Sequence, residues 1–143
     1  VDRRQRQMCI RDSAYTGIMA ARRLPKETEA LQQARSTAIY EATLRAAEIP
    51  LQVAQHALQV MRLAVRIAEI GNLNALSDAG AAINLANAAL KGAALNVRIN
   101  CMGIETEPQP AVLLSKLAAL ESEVPNFLAD LNLTLKERSG LQN

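Results

Sequence analysis

Between Gly71 and Asn100 the chain reads GNLNALSDAGAAINLANAALKGAALNVRIN, with Asn72, Asn74, Asp78, Lys91, Arg98 and Asn100 set into a background of Ala and Leu. An Ala- and Leu-rich helix needs none of these residues to fold. Carboxylate, ammonium, guanidinium and amide groups normally stay in water, and burying one unpaired costs on the order of several kcal/mol. A face that mixes them with Ala and Leu therefore reads as a site rather than as plain surface. At 100° per residue, Gly80, Asn84, Asn87, Lys91 and Arg98 share one side of a helix over Ser77–Asn100. Asp78, Asn96 and Asn100 fall on the other, among Ala82, Leu85, Ala89 and Ala93. The first set also suits a wet face. Asp78, near the helix start, also suits a capping carboxylate, and a break near Gly92 would rotate Arg98 relative to it.

The elements that must position these residues can be read from the punctuation. Ala14–Arg23 reads as the tail of a helix stopped by Leu24-Pro25, and Lys26-Glu27-Thr28 opens the next, which runs to Glu48. Pro50 is expected to end that run and to sit in the first turn of a further helix, Leu51–Ile70. Gly71-Asn72 reads as a C-cap, with Asn74 or Ser77 capping the next helix. Glu105–Pro110 reads as a loop in which Pro108 and Pro110 block helix. A last helix is expected over Ala111–Arg138, kinked or restarted at Pro125. The expected fold is all-α, an antiparallel bundle of four to five helices. Its last helix carries a stripe, Leu113, Leu117, Leu120, Val124, Phe127, Leu131 and Leu135, that reads as a core face or as a partner face.

Composition agrees with that class. The 143 residues are 50% hydrophobic but only 2% aromatic, which suits closely packed helices with small contacts and not a β-sandwich. The length is that of at most one domain. No run of about 18 uncharged apolar residues marks a membrane span. Cys9 and Cys101 do not make a disulfide framework, so reduced cytoplasmic thiols are expected, with Cys101 packed as a small hydrophobe beside Met102. His56 stands alone, without clustered Cys or a second His, so no metal site is expected. GxSxG, GxxxxGK[ST] and GxGxxG are all missing, leaving triad hydrolase, P-loop and Rossmann readings without an anchor.

The formal charge of +2 sits entirely in residues 1–13, where Arg3, Arg4, Arg6 and Arg11 oppose Asp2 and Asp12. The remainder is neutral, and no basic stripe with interleaved aromatics suggests nucleic acid. Residues 1–13 lack an amphipathic pattern and resemble adapter-derived sequence translated at the end of an assembled fragment. They also lack the apolar stripe and small-residue cleavage site of a targeting peptide. The expectation is a non-native or disordered leader that packs poorly, with residues 14–143 forming the native part.

GNxNxxSDAG followed by KGAxLNVRIN, with MAARRLPKET and EIPLQVA upstream, resembles the folate-dependent cyclodeaminase/cyclohydrolase family over roughly Ala14 to Arg138. The departures are local. Arg11 stands where the family usually has Asp four positions ahead of its AY/AF dipeptide, and no Gly-rich PTPGGGS-like segment is present. The resemblance therefore implies the C-terminal portion of a larger helical domain, a fragment that need not be active alone. It implies a one-carbon unit carried between N5 and N10 of tetrahydrofolate. A cyclodeaminase closes N10 onto a formimino carbon and expels ammonia, whereas a cyclohydrolase opens the methenyl bridge with water. Both need proton transfer on a fixed substrate rather than a metal or bound cofactor.

On that resemblance, Asp78 is the acid/base candidate, since an apolar wall raises a carboxylate pKa and nearby cations pull it back. Hydrogen bonding to the pterin amino group and ring N–H is the alternative. Arg98 and Lys91 suit the folate glutamate carboxylates, and Asn72, Asn74 and Asn100 suit the ring. Lys26, otherwise an ordinary solvated turn lysine, gains a substrate-binding role from the LPK match. The family's assembly implies a homodimer or higher homo-oligomer, with Asp78, Arg98 and Asn100 gathered around the Gly71–Ser77 turn near an interface. The competing reading is a non-catalytic helical assembly module, in which those three residues scatter.

Overall fold

A computed structural model describes the backbone of residues 3–139 and the side chains of residues 12–139. The expectation for Met8, Cys9 and Ile10 lies outside the described side chains. Four α-helices succeed one another: α1 (Arg3–Arg22), α2 (Glu29–Ile70), α3 (Leu76–Cys101) and α4 (Pro108–Ser139), with a 3-10 turn at Leu73–Ala75 before α3. No strand occurs among the described residues. The all-α expectation holds. Residues 1–13 lack an amphipathic pattern, yet α1 takes in Arg3–Ser13 ahead of the stretch read as its tail.

Two helix boundaries differ from expectation, and proline is involved in both. α2 does not stop at Glu48. It runs 42 residues with Pro50 inside, about 63 Å of helix. A proline N–H is missing from the ladder there, but the buried stripe Ala47, Leu51, Ala54 and Leu58 continues across it and rewards an unbroken helix. Pro108 and Pro110 do not block helix either. They occupy the first turn of α4, where the N–H groups have no intrahelical partner to lose. Pro125 lies within α4 without ending it.

The helix ends are closed by local caps and by arginines from neighbouring helices. Thr28 caps α2, its hydroxyl accepting from the Leu31 N–H at 3.3 Å. At the other end Gly71 is required by close approach, since a Cβ there would come within 2.5 Å of the Ile67 carbonyl oxygen. Arg138 of α4 donates to the carbonyls of Ala68 (2.5 Å) and Gly71 (3.0 Å), placing a cation on the negative end of α2. Arg35 does the same for α1 through two bonds to the Arg22 carbonyl, at 3.2 and 3.0 Å. Gly103, with φ of +87°, turns the chain from α3 into α4 in a conformation that glycine adopts without strain.

α2 and α3 make the most extensive contact and run antiparallel, joined by the short Gly71–Ala75 connection. Ala54, Ala57, Ala64 and Ala68 face a core shared with Ala79, Ala86, Ala93 and Ala94, small side chains that let two helix backbones approach closely. α4 lies across both and is parallel to α2, since Tyr40 meets Gln109, Arg62 meets Glu123, and Arg138 meets Gly71. The α4 stripe is a core face: Leu113, Leu117, Val124, Leu131 and Leu135 are buried, with Leu120 and Phe127 packed against them. Truncating Leu131, fully buried, to Ala would cost about 2–5 kcal/mol. α1 packs back on the first half of α2, where Arg35 bonds the end of α1 and Tyr15 and Ala46 share a groove.

Candidate functional site

α3 decides the geometry of the site. It passes through Gly92 without a break, so Asp78 in its first turn and Arg98 in its last are about 30 Å apart along one rod. The expected gathering of Asp78, Arg98 and Asn100 around the Gly71–Ser77 turn does not occur within one chain. Asn72, Asn74 and Asp78 lie at one end of the α2–α3 pair, Arg98 and Asn100 at the other, and exposed Lys91 between them. Lys26 is farther off still, in the α1–α2 turn. About 27 Å of α2 separates that turn from the level of Asn100.

At the first end, Asn72 is engaged in the backbone turn: its Oδ1 accepts from the Asn74 N–H at 2.9 Å and caps the 3-10 turn. Ala75, not Asn74 or Ser77, occupies the N-cap of α3, and no side chain caps it. Asp78 is therefore not a hydrogen-bonding cap. It is an exposed carboxylate in the first turn, where the helix dipole favours negative charge. Leu85, two turns along the same face, is 72% exposed. The apolar wall expected around Asp78 is thus an open surface in the single chain.

At the other end Arg98 donates from Nη2 to Glu121 of α4 at 2.6 Å. The pair is part-exposed and pins α3 to α4, with a modest contribution to stability. Asn100 points the opposite way. Its Nδ2 donates to the Ala46 carbonyl at 3.2 Å and to the Asn96 carbonyl at 2.9 Å. It also lines a groove of about 350 Å³ between α1, α2 and α3, with Tyr15, Ile18, Pro50, Val53 and Asn96 among its walls. An aromatic ring, apolar side chains and two amides suit a planar, hydrogen-bonding ligand. Tyr15 and Asn96 were not among the expected site residues. Asn96 was visible as a member of the Asp78 face. Tyr15 gave no periodic signal, because its partners lie more than 30 residues away in sequence.

The mixed face of α3 has one further member. Asn87, half-buried, keeps its Oδ1 out of solvent with no hydrogen-bond partner, a placement that costs stability in the single chain. No group of three or more His, Cys, Asp or Glu side chains fit to hold a metal occurs among the described residues. No described helix is long and apolar enough to cross a membrane.

An all-helical domain with amides and a carboxylate on an Ala-rich helix pair is the class that this geometry defines. Its family is shown by sequence comparison: the family profile described as formiminotransferase-cyclodeaminase matches residues 2–118, and the chain belongs to that family. The match includes all of Gly71–Asn100. A methenyltetrahydrofolate cyclohydrolase of Methylorubrum extorquens is 39% identical over 110 residues, covering 77% of this chain and 53% of the relative. The formimidoyltransferase-cyclodeaminase of Rattus norvegicus is 32% identical over 87 residues, covering 61% of this chain and 16% of that protein. The corresponding Mus musculus protein matches at the same identity and coverage. The chain thus spans about half the length of the bacterial relative and a smaller share of the mammalian ones.

Proposed function

We propose that this chain is part of a cytoplasmic enzyme of one-carbon folate metabolism. The enzyme would close 5-formimino-tetrahydrofolate to the 5,10-methenyl form with release of ammonia, hydrolyse 5,10-methenyl- to 10-formyl-tetrahydrofolate, or do both. The observation that carries the reading is the family match running through the polar segment 71–100, supported by the cyclohydrolase named above. The groove fits the chemistry. A pterin is planar and edged with donors and acceptors, and Tyr15, Asn96 and Asn100 offer a ring and two amides to receive one. Asp78 supplies the proton-transfer group, and Lys26, Asn72, Asn74, Lys91 and Arg98 are the remaining substrate-binding candidates. The folate is the substrate, with no metal or bound cofactor in the scheme, and the active unit is a homo-oligomer.

The test is spectroscopic. A full-length protein carrying this segment should consume the 5,10-methenyl chromophore, or generate it from the formimino substrate, with a chelator present. Chelator-sensitive turnover would contradict the metal-free scheme. The second reading, a non-catalytic helical assembly module, draws on the separation of Asp78 from Asn100 and on the apolar outer surface of α2 and α3. A full-length protein that binds no tetrahydrofolate derivative would favour it.

A further inference from the structure

The groove between α1, α2 and α3 is lined by no charged side chain. Its polar groups are Tyr15, Asn96 and Asn100, and the rest of its wall is alanine, isoleucine, valine and proline. A carboxylate or phosphate would meet no cation there, and stripping an ion of water without a partner costs on the order of several kcal/mol. The volume of about 350 Å³ is near the lower end for a small-molecule site, which suits one ring system and leaves a long acidic tail outside. The groove therefore fits a neutral ring, and the hydrogen-bonding atoms still available in it decide which.

Donors are scarce there. A primary amide has two N–H bonds, and Asn100 uses both on backbone oxygens, that of Ala46 at 3.2 Å and that of Asn96 at 2.9 Å. Those two carbonyls also fix which way the amide faces, since a flipped side chain would set Oδ1 against two oxygens. Asn100 therefore offers the groove an acceptor alone. Asn96 gives one N–H to the Gly92 carbonyl at 2.9 Å and keeps its other N–H and its Oδ1. Pro50, on the α2 wall, has no N–H at all. Asn96 and Asn100 stand one turn apart on α3, about 6 Å along its axis, so a donor–acceptor pair is followed by a second acceptor.

From this we infer that the groove selects its ring by a 2-amino-4-oxo edge, with the Asn96 amide pairing the 4-oxo group and the adjacent ring N–H, and Asn100 Oδ1 accepting from the 2-amino group. Asn100 is then the residue that reads the amino substituent. The inference rests on the folate reading for the identity of the ring. It also moves a contact: hydrogen bonding to the pterin amino group, the alternative role for Asp78, falls to two amides, since Asp78 lies about 27 Å along α3 from Asn96. A ring without the 2-amino group would leave Asn100 Oδ1 covered and unpaired. Sites built to hydrogen-bond a substituent discriminate against the analogue lacking it for that reason.

The experiment is equilibrium binding of tetrahydrofolate and of its 2-desamino analogue to a full-length protein carrying this segment. We expect the analogue to bind about tenfold more weakly, the scale of one unmade hydrogen bond at a covered acceptor. Asn100→Ala should weaken tetrahydrofolate by that factor, leave the analogue unchanged and bring the two within about twofold of each other. Because this variant also uncovers the Ala46 carbonyl, the comparison is repeated in Pro50→Ala, where the helical N–H returns. Pro50→Ala alone should keep the discrimination, and Pro50→Ala with Asn100→Ala should lose it. Asn96→Ala should weaken both ligands alike and preserve their ratio. Equal affinity of the parent protein for the two ligands, a ratio that survives loss of Asn100 in both backgrounds, or a ratio that disappears with Asn96 instead would each overturn the inference while folate binding stands. A protein that binds neither ligand would overturn the folate reading itself, and the inference with it.

Discussion

Asn100 answers Pro50. Proline at position 50 removes the N–H that would have bonded the Ala46 carbonyl, and the Asn100 amide, arriving from α3, donates to that oxygen at 3.2 Å. The longest helix is therefore carried across its proline by a side chain from its neighbour. The same amide faces the groove, so helix repair and ligand contact are joined in one residue.

Asn100→Ala should destabilise the protein by about 1–3 kcal/mol, because it leaves the Ala46 carbonyl half-buried and unpaired. In a Pro50→Ala background, where the helical N–H returns, the same substitution should cost less by on the order of 1 kcal/mol. Urea unfolding of the four proteins in this cycle measures the coupling. Equal costs in both backgrounds would show that Asn100 does not compensate for the proline.

Gly71→Ala should cost about 1–3 kcal/mol, since the added Cβ meets a backbone oxygen rather than a movable side chain. The end of α2 or the Arg138 cap must shift to admit it. Faster amide exchange over Ile67–Gly71, matched by Arg138→Ala, would locate the damage at that helix end.

Tyr40 gives a pH signature. Its hydroxyl donates to Gln109 Oε1 at 2.9 Å, tying α2 to the first turn of α4. Burial, with the Glu107 charge adding to it, raises its pKa above the ordinary 10.0. A folded pKa above the unfolded one contributes stability that is complete below about pH 10 and is lost as pH rises through the folded value. Ultraviolet titration of a Tyr15→Phe variant, in which Tyr40 is the sole tyrosine, should place the phenolate transition above that of the urea-unfolded chain.

Cys101 should react slowly. It is 1% exposed, and burial together with the Glu105 charge raises its thiol pKa, so little thiolate is presented near neutrality. In a Cys9→Ser variant, Ellman's reagent should modify Cys101 much faster in urea than in buffer. Equal rates would mean that the end of α3 opens freely.

The core was legible in sequence because helical spacing survives any choice of neighbour. The stripe from Leu113 to Leu135 reads as a core face before any partner is known. Helix boundaries at proline were less legible, because local propensity at Pro50 is outweighed by Asn100, which lies 50 residues away, and Pro108 and Pro110 fall in a first turn that tolerates them. Family motifs flagged Asp78 and Asn100 but carried no statement of distance. Only the unbroken helix through Gly92 sets them apart. The role of Arg98 was obscured in the same way, since its carboxylate partner, Glu121, lies on another helix.

The most direct test of the central claim is the turnover of 5,10-methenyl-tetrahydrofolate by a full-length protein carrying this segment, compared with its Asp78→Asn variant. The substitution keeps the shape of the side chain and removes its charge. If Asp78 moves the proton, turnover should fall by at least about a hundredfold while folate binding persists. Near-wild-type turnover by the variant would contradict the account and leave Asp78 as a first-turn charge on α3.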